Sequence, residues 1–119
     1  MAAAVKPTGD RIARHYNEMQ IVTAPKAGAI CALHRKCIQC IDAAVEEPGR
    51  RRRLCDRAQN ILAQLQSSLR MGDVVSEGLF YLYDYCYVLL ENDRREHMDD
   101  AREVMAMLRD TFERLSRDR

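Results

Sequence analysis

Between Pro25 and about Glu46 the apolar positions Ile30, Leu33, Cys37, Ile41 and Ala44 step by 3, 4, 4 and 3 residues. That spacing is one face of a helix with 3.6 residues per turn. Thr23-Ala24-Pro25 suits a helix start, since proline in the first turn loses no hydrogen bond, and Pro48-Gly49 ends the run. A second helix is predicted from about Arg51 to Leu69, where Leu54, Ala58, Ile61, Leu65 and Leu69 step by 4, 3, 4 and 4. Met71-Gly72-Asp73 breaks the pattern, and Asp73 can cap the next helix.

The stretch from Val74 to Glu91 carries two periods. Phe80-Tyr81-Leu82-Tyr83-Asp84-Tyr85-Cys86-Tyr87 alternates in the way a strand does and is rich in strand formers. Val75, Leu79, Leu82, Cys86 and Leu89 step by 4, 3, 4 and 3 through the same residues. The run is too long for an ordinary strand, has no internal turn residue and no evident partner strand, so it is read as a helix. After the polar connection Asn92–Glu96, a fourth helix is predicted from about His97 to Arg117. Its apolar residues Met98, Ala101, Met105, Leu108, Phe112 and Leu115 step by 3, 4, 3, 4 and 3. No internal repeat and no low-complexity segment occurs. Four amphipathic helices on short links bury their stripes together, most simply as an all-α antiparallel four-helix bundle. Upstream, residues 1–11 read as a flexible tail. Residues 12–119 read as one domain that begins with a short N-terminal arm or helix containing Ile12, Tyr16, Met19, Ile21 and Val22.

Composition narrows the class. A chain of 119 residues, 47% hydrophobic and with few glycines and prolines, is long enough for one core and too apolar for disorder. Nineteen basic against eighteen acidic side chains leave a formal charge of +1, which argues against nucleic-acid binding by bulk electrostatics. The longest apolar run is interrupted by Glu77 and Asp84, so no membrane span is expected. The first residues do not resemble a secretory signal. Five cysteines without framework spacing suit a reducing cytosol, and a cytoplasmic location is expected.

Candidate chemistry is sparse. Cys31, His34, Cys37 and Cys40 are soft ligands at i+3 steps. Each step turns about −60° around a helix, so Cys31 and Cys40 end on opposite faces and cannot close a zinc tetrahedron. Cys37 and Cys40 match a C-x-x-C pattern, but in mid-helix rather than at the N-terminus that activates such thiols. The cysteines are read as small buried hydrophobes. Arg50 to Arg53, with Arg57, form a dense basic cluster at a helix start, where positive charge opposes the macrodipole. It is read as a solvated face, with an acidic protein partner as the functional alternative. His15, His34 and His97 lie on different elements with no nucleophile context or phosphate loop nearby. Asp84, among tyrosines, is expected to pair with an arginine or tyrosine. No catalytic residue, metal ligand or cofactor is assigned. What remains is surplus apolar surface on the third helix, with Val104 and Met107 off the main stripe of the fourth. It is read either as a broad core or a homodimer face, or as a groove for an amphipathic segment.

Three stretches resemble a known family, the flagellar secretion chaperone FliS. Tyr16 followed by Ile21-Val22-Thr23-Ala24-Pro25 resembles the family's N-terminal tyrosine and T-A-x-P helix entry. Arg57-Ala58-Gln59-Asn60-Ile61-Leu62, with Leu65 and Leu69, resembles its second-helix pattern. Leu82-Tyr83-Asp84-Tyr85, with Leu89-Leu90 and Glu103-Val104, resembles its L-Y-D-Y signature and closing helix. The matches run in order from Tyr16 to Leu115. Departures are Leu33-His34 in place of leucine-tyrosine, Lys26-Ala27-Gly28 after the proline, the third connection, the cysteines and the Arg50 cluster. The resemblance implies a bundle that binds the C-terminal amphipathic segment of flagellin, prevents premature polymerisation and delivers the subunit to the flagellar type III export apparatus. The groove residues it suggests are Tyr16, Met19, Ile21, Leu62, Leu65, Leu69, Tyr81, Leu82, Tyr85 and Val104. Export components or regulators are further partners under this reading, the chain being a monomer or a homodimer. A structural bundle that uses its surplus surface for homodimerisation is the alternative.

Overall fold

The computed structural model describes residues 24–117. The expected tail, and Tyr16, Met19 and Ile21 of the expected arm, lie outside these residues. Four helices follow in order: α1 (Ala24–Glu46), α2 (Arg51–Ser67), α3 (Val74–Leu89) and α4 (Arg95–Arg117), with a 3-10 turn over Pro48–Arg50. α1 packs against α4 and α2, α2 against α3, and α3 against α4, so consecutive helices are neighbours and the last closes on the first. Links of a few residues impose antiparallel neighbours, and the result is a four-helix bundle.

The third segment is helical throughout. Leu79, Leu82, Tyr83, Cys86 and Leu90 are buried whereas Phe80, Tyr81, Asp84 and Val88 are exposed. That is a 3-4 alternation, not the strict two-residue alternation of a strand. Asp73 caps the helix, its Oδ1 accepting the Ser76 amide at 2.8 Å. Gly72, at φ +124°, makes the turn into it, a conformation that favours a residue without a Cβ.

The core contains Ile41 and Ala44 of α1, Leu62 and Leu65 of α2, Leu79 and Leu82 of α3, and Met105, Leu108 and Phe112 of α4. At its centre stands His34, fully buried, with Nε2 2.8 Å from the Tyr83 hydroxyl and its ring edge-on to Phe112 at 5.2 Å. His34 and Tyr83 belong to diagonally opposed helices, so this hydrogen bond crosses the middle of the bundle. Nδ1 of His34 is buried without a partner. The cheaper arrangement has Nε2–H donating to the Tyr83 oxygen, which strands only a lone pair at Nδ1 rather than an N–H. Loss of solvation lowers the His34 pKa to about 3, so the ring is neutral.

The arginines after Gly49 have structural work that their position on α2 conceals. Arg51 donates from Nε to the Ala44 carbonyl at 3.0 Å and from a terminal nitrogen to that of Val45 at 3.3 Å, closing the end of α1. Arg52 donates to the Glu91 carbonyl at 2.9 Å, just past α3, and to Gln59 Oε1. Gln59 in turn donates to the Tyr87 carbonyl at 3.0 Å. Neither α1 nor α3 has a basic residue in its own last turn. In an antiparallel bundle the start of α2 lies beside those two C-termini. Charge that opposes the dipole of α2 therefore complements the dipoles of its neighbours. Arg50 pairs with Glu47, and Arg53 and Arg57 are exposed.

Candidate partner-binding surface

The i+3 series on α1 spreads around the helix as its geometry requires. The Cys31 thiol points to the Arg109 carbonyl of α4, His34 to Tyr83 of α3, and the Cys37 thiol to the Ala58 carbonyl of α2. Cys40 lies within the field of Arg57 and Lys36. All five cysteines are buried and free, and burial pushes the thiols of Cys31, Cys37, Cys40 and Cys55 upward, away from the reactive thiolate. Among the described residues no three histidine, cysteine or carboxylate side chains are grouped to hold a metal. Ser67 and Ser68 bond back to carbonyls of the helix end, at 2.9 Å to Ala63 and 2.7 Å to Leu65.

Apolar surface is concentrated elsewhere. On α3, Val74, Tyr81, Tyr85 and Val88 are separated by 7, 4 and 3 residues and therefore share one flank. Val74 is 62% exposed, Tyr81 45% and Val88 58%, while Tyr85 is half-buried and stacks on Tyr81 with centroids 6.3 Å apart. The neighbouring helices show which way this flank turns. Gln66 donates to the Phe80 carbonyl and Gln59 to that of Tyr87, so the Phe80–Tyr87 side of α3 lies against α2. The Tyr81 flank, on the other side, borders α4. On α4 itself, Arg102 grips both oxygens of Asp42 and Glu113 meets Arg35, which turns that side toward α1. Val104 and Met107, both half-buried, occupy the side toward α3. An apolar strip thus follows the α3–α4 seam, with Tyr85, Val104 and Met107 at the border itself and Val74, Tyr81 and Val88 beside it on the outer face of α3.

Of the groove residues expected from the sequence, Tyr16, Met19 and Ile21 lie outside the described residues and the other seven divide into three sets. Tyr81, Tyr85 and Val104 line the seam. Leu69 is half-buried just past the end of α2. Leu62, Leu65 and Leu82 are buried in the core, at or below 1% exposure, beneath the surface rather than on it. Val74, Val88 and Met107 complete the strip; Met107 belongs to the off-stripe surface read from the sequence, and the 7-4-3 spacing from Val74 carries the signal for the other two. Asp84, expected to pair across the bundle, is exposed on the outer ridge of α3 and makes no ion pair or hydrogen bond among the described residues, because its helical position points it away from the core. No helix among the described residues is long and apolar enough to cross a membrane.

Residues 9–119 match the model of the family described as FliS, flagellar protein FliS. No curated protein and no solved structure matches the chain significantly.

Proposed function

The chain belongs to the flagellar protein FliS family, and from that premise we propose that it is a flagellar export chaperone whose client is flagellin. It binds the C-terminal amphipathic segment of the newly made subunit in the cytoplasm, keeps that segment from polymerising, and presents the subunit to the type III export apparatus. The observation that carries this reading is the α3–α4 seam. A small bundle with a complete core leaves Val74, Tyr81 and Val88 largely open to solvent on one flank. Tyrosine and methionine at its margins are adaptable contacts, and a groove between two helices takes the apolar face of a third. The N-terminal arm, with Tyr16, Met19 and Ile21, is proposed to approach the same groove and give way to the client.

The test is co-expression with flagellin, intact and lacking its C-terminal segment, followed by recovery of the complex. Intact flagellin is expected to co-purify and the truncated form to be lost. Equal recovery of both, or of neither, would sink the proposal.

A further inference from the structure

The seam has an electrostatic frame. Between Asp73 and Glu91 there is no lysine or arginine. Asp73 serves as the cap of α3; Glu77 follows it by four residues and Asp84 by seven more on the outer ridge, and Glu91 stands two residues past the helix end, its carbonyl held by Arg52. Glu77, Asp84 and Glu91 each lie three or four residues from Val74, Tyr81 or Val88, so the acidic row directly flanks the apolar one. Across the seam, Asp100 and Glu103 each stand four residues before Val104 and Met107 and border the α4 side. All five carboxylates are exposed and have no cationic partner among the described residues. On the α1–α4 face, by contrast, Asp42 and Glu113 are each held by an arginine at 2.6 Å.

We propose that the seam takes an amphipathic helix whose apolar stripe is bordered on both sides by lysine or arginine. The apolar floor supplies affinity, and the acidic ridges fix orientation and exclude clients with acidic borders. The protein that brings this helix is flagellin under the reading above, and the present inference rests on that reading for the client's identity alone. A client helix with basic borders is attracted to these carboxylates at close range, and one with acidic borders is repelled.

Three synthetic helical peptides test the inference. They share one leucine and valine stripe, and their flanking positions are lysine and arginine, glutamine and serine, or glutamate. Fluorescence anisotropy against the full chain at low salt is expected to show the basic peptide binding about tenfold or more tighter than the acidic one, the gap closing at about 0.5 M salt. In the triple variant Glu77→Gln, Asp84→Asn, Glu91→Gln, confined to exposed positions, the gap is expected to shrink to about threefold or less. Equal affinities for the three peptides would overturn the inference. So would a dimer closing over the seam that the basic peptide does not dissociate. The flagellin C-terminal segment is measured in parallel. Capture of that segment with no discrimination among the peptides removes the charge inference and leaves the chaperone reading. Discrimination without capture removes flagellin as client and leaves the charge inference.

Discussion

Replacing His34 by glutamine should abolish a specific part of the protein's acid sensitivity. His34 is buried, neutral and bonded through Nε2 to Tyr83, with its pKa lowered to about 3 from an ordinary 6.5. In the unfolded chain the same ring takes up a proton below about pH 6.5. Between these two values the unfolded state binds more protons than the folded one, so stability rises with pH through this window and falls as the medium is acidified. Each pH unit within it is worth about 1.4 kcal/mol, which makes the loss about 2 kcal/mol on going from pH 7.5 to pH 5. For a chain of this size that corresponds to a drop of about 8 °C in Tm. Glutamine keeps an amide donor for the Tyr83 oxygen and does not titrate. The assay is urea unfolding followed by circular dichroism at pH 7.5, 6 and 5 for both proteins. The variant should start less stable, because glutamine fills the site less well, yet change little over the same interval. Parallel pH dependences for the two proteins would refute the reasoning and place the sensitivity elsewhere.

Arg51→Ala should cost about 1 kcal/mol in urea unfolding through the uncapped end of α1, and Arg51→Lys should restore only part of it, since an ammonium lacks the planar fork that reaches two carbonyls. Tyr81→Ala and Val88→Ser should weaken the proposed capture of the flagellin segment about tenfold by isothermal titration while leaving Tm within about 2 °C, because both side chains stand outside the core. Leu82→Ala should instead lose about 2–5 kcal/mol of stability, and any binding defect should track the fraction unfolded. The five thiols should resist an aromatic disulfide reagent in the native protein and react on addition of urea. Fast labelling of several native thiols would contradict their burial.

The helices were legible because their stripes are regular, and the small boundary differences have local causes. α2 stops at Ser67 rather than Leu69, where Ser67 and Ser68 turn their hydroxyls back onto helix carbonyls. α4 begins at Arg95, two residues before the expected His97, with the Met98 amide already bonded to the Arg94 carbonyl. The seam was legible only in part. Periodicity marks apolar residues without saying whether the neighbour they meet is another helix of the chain or solvent, so Leu82 and Tyr85 looked alike until packing separated them. The arginine cluster was illegible for a different reason. Its partners are carbonyls on α1 and beyond α3, 7 residues away in the case of Arg51 and Ala44 and 39 in that of Arg52 and Glu91. Backbone carbonyls carry no sequence signature.

That arrangement bears on how the bundle assembles. A segment that opens on consecutive arginines is a poor helix by itself, since its first turn concentrates charge of the wrong sign. Within α2 only the Arg52–Asp56 pair offsets that charge, and the beginning gains further when the ends of α1 and α3 arrive beside it. A nascent chain that has emerged no further than α2 therefore holds an unfinished first half, and the polypeptide through Glu91 must be present before Arg52 finds its carbonyl. Cooperativity is thereby written into one corner of the molecule, where three helices complete one another's termini and half-made bundles are disfavoured.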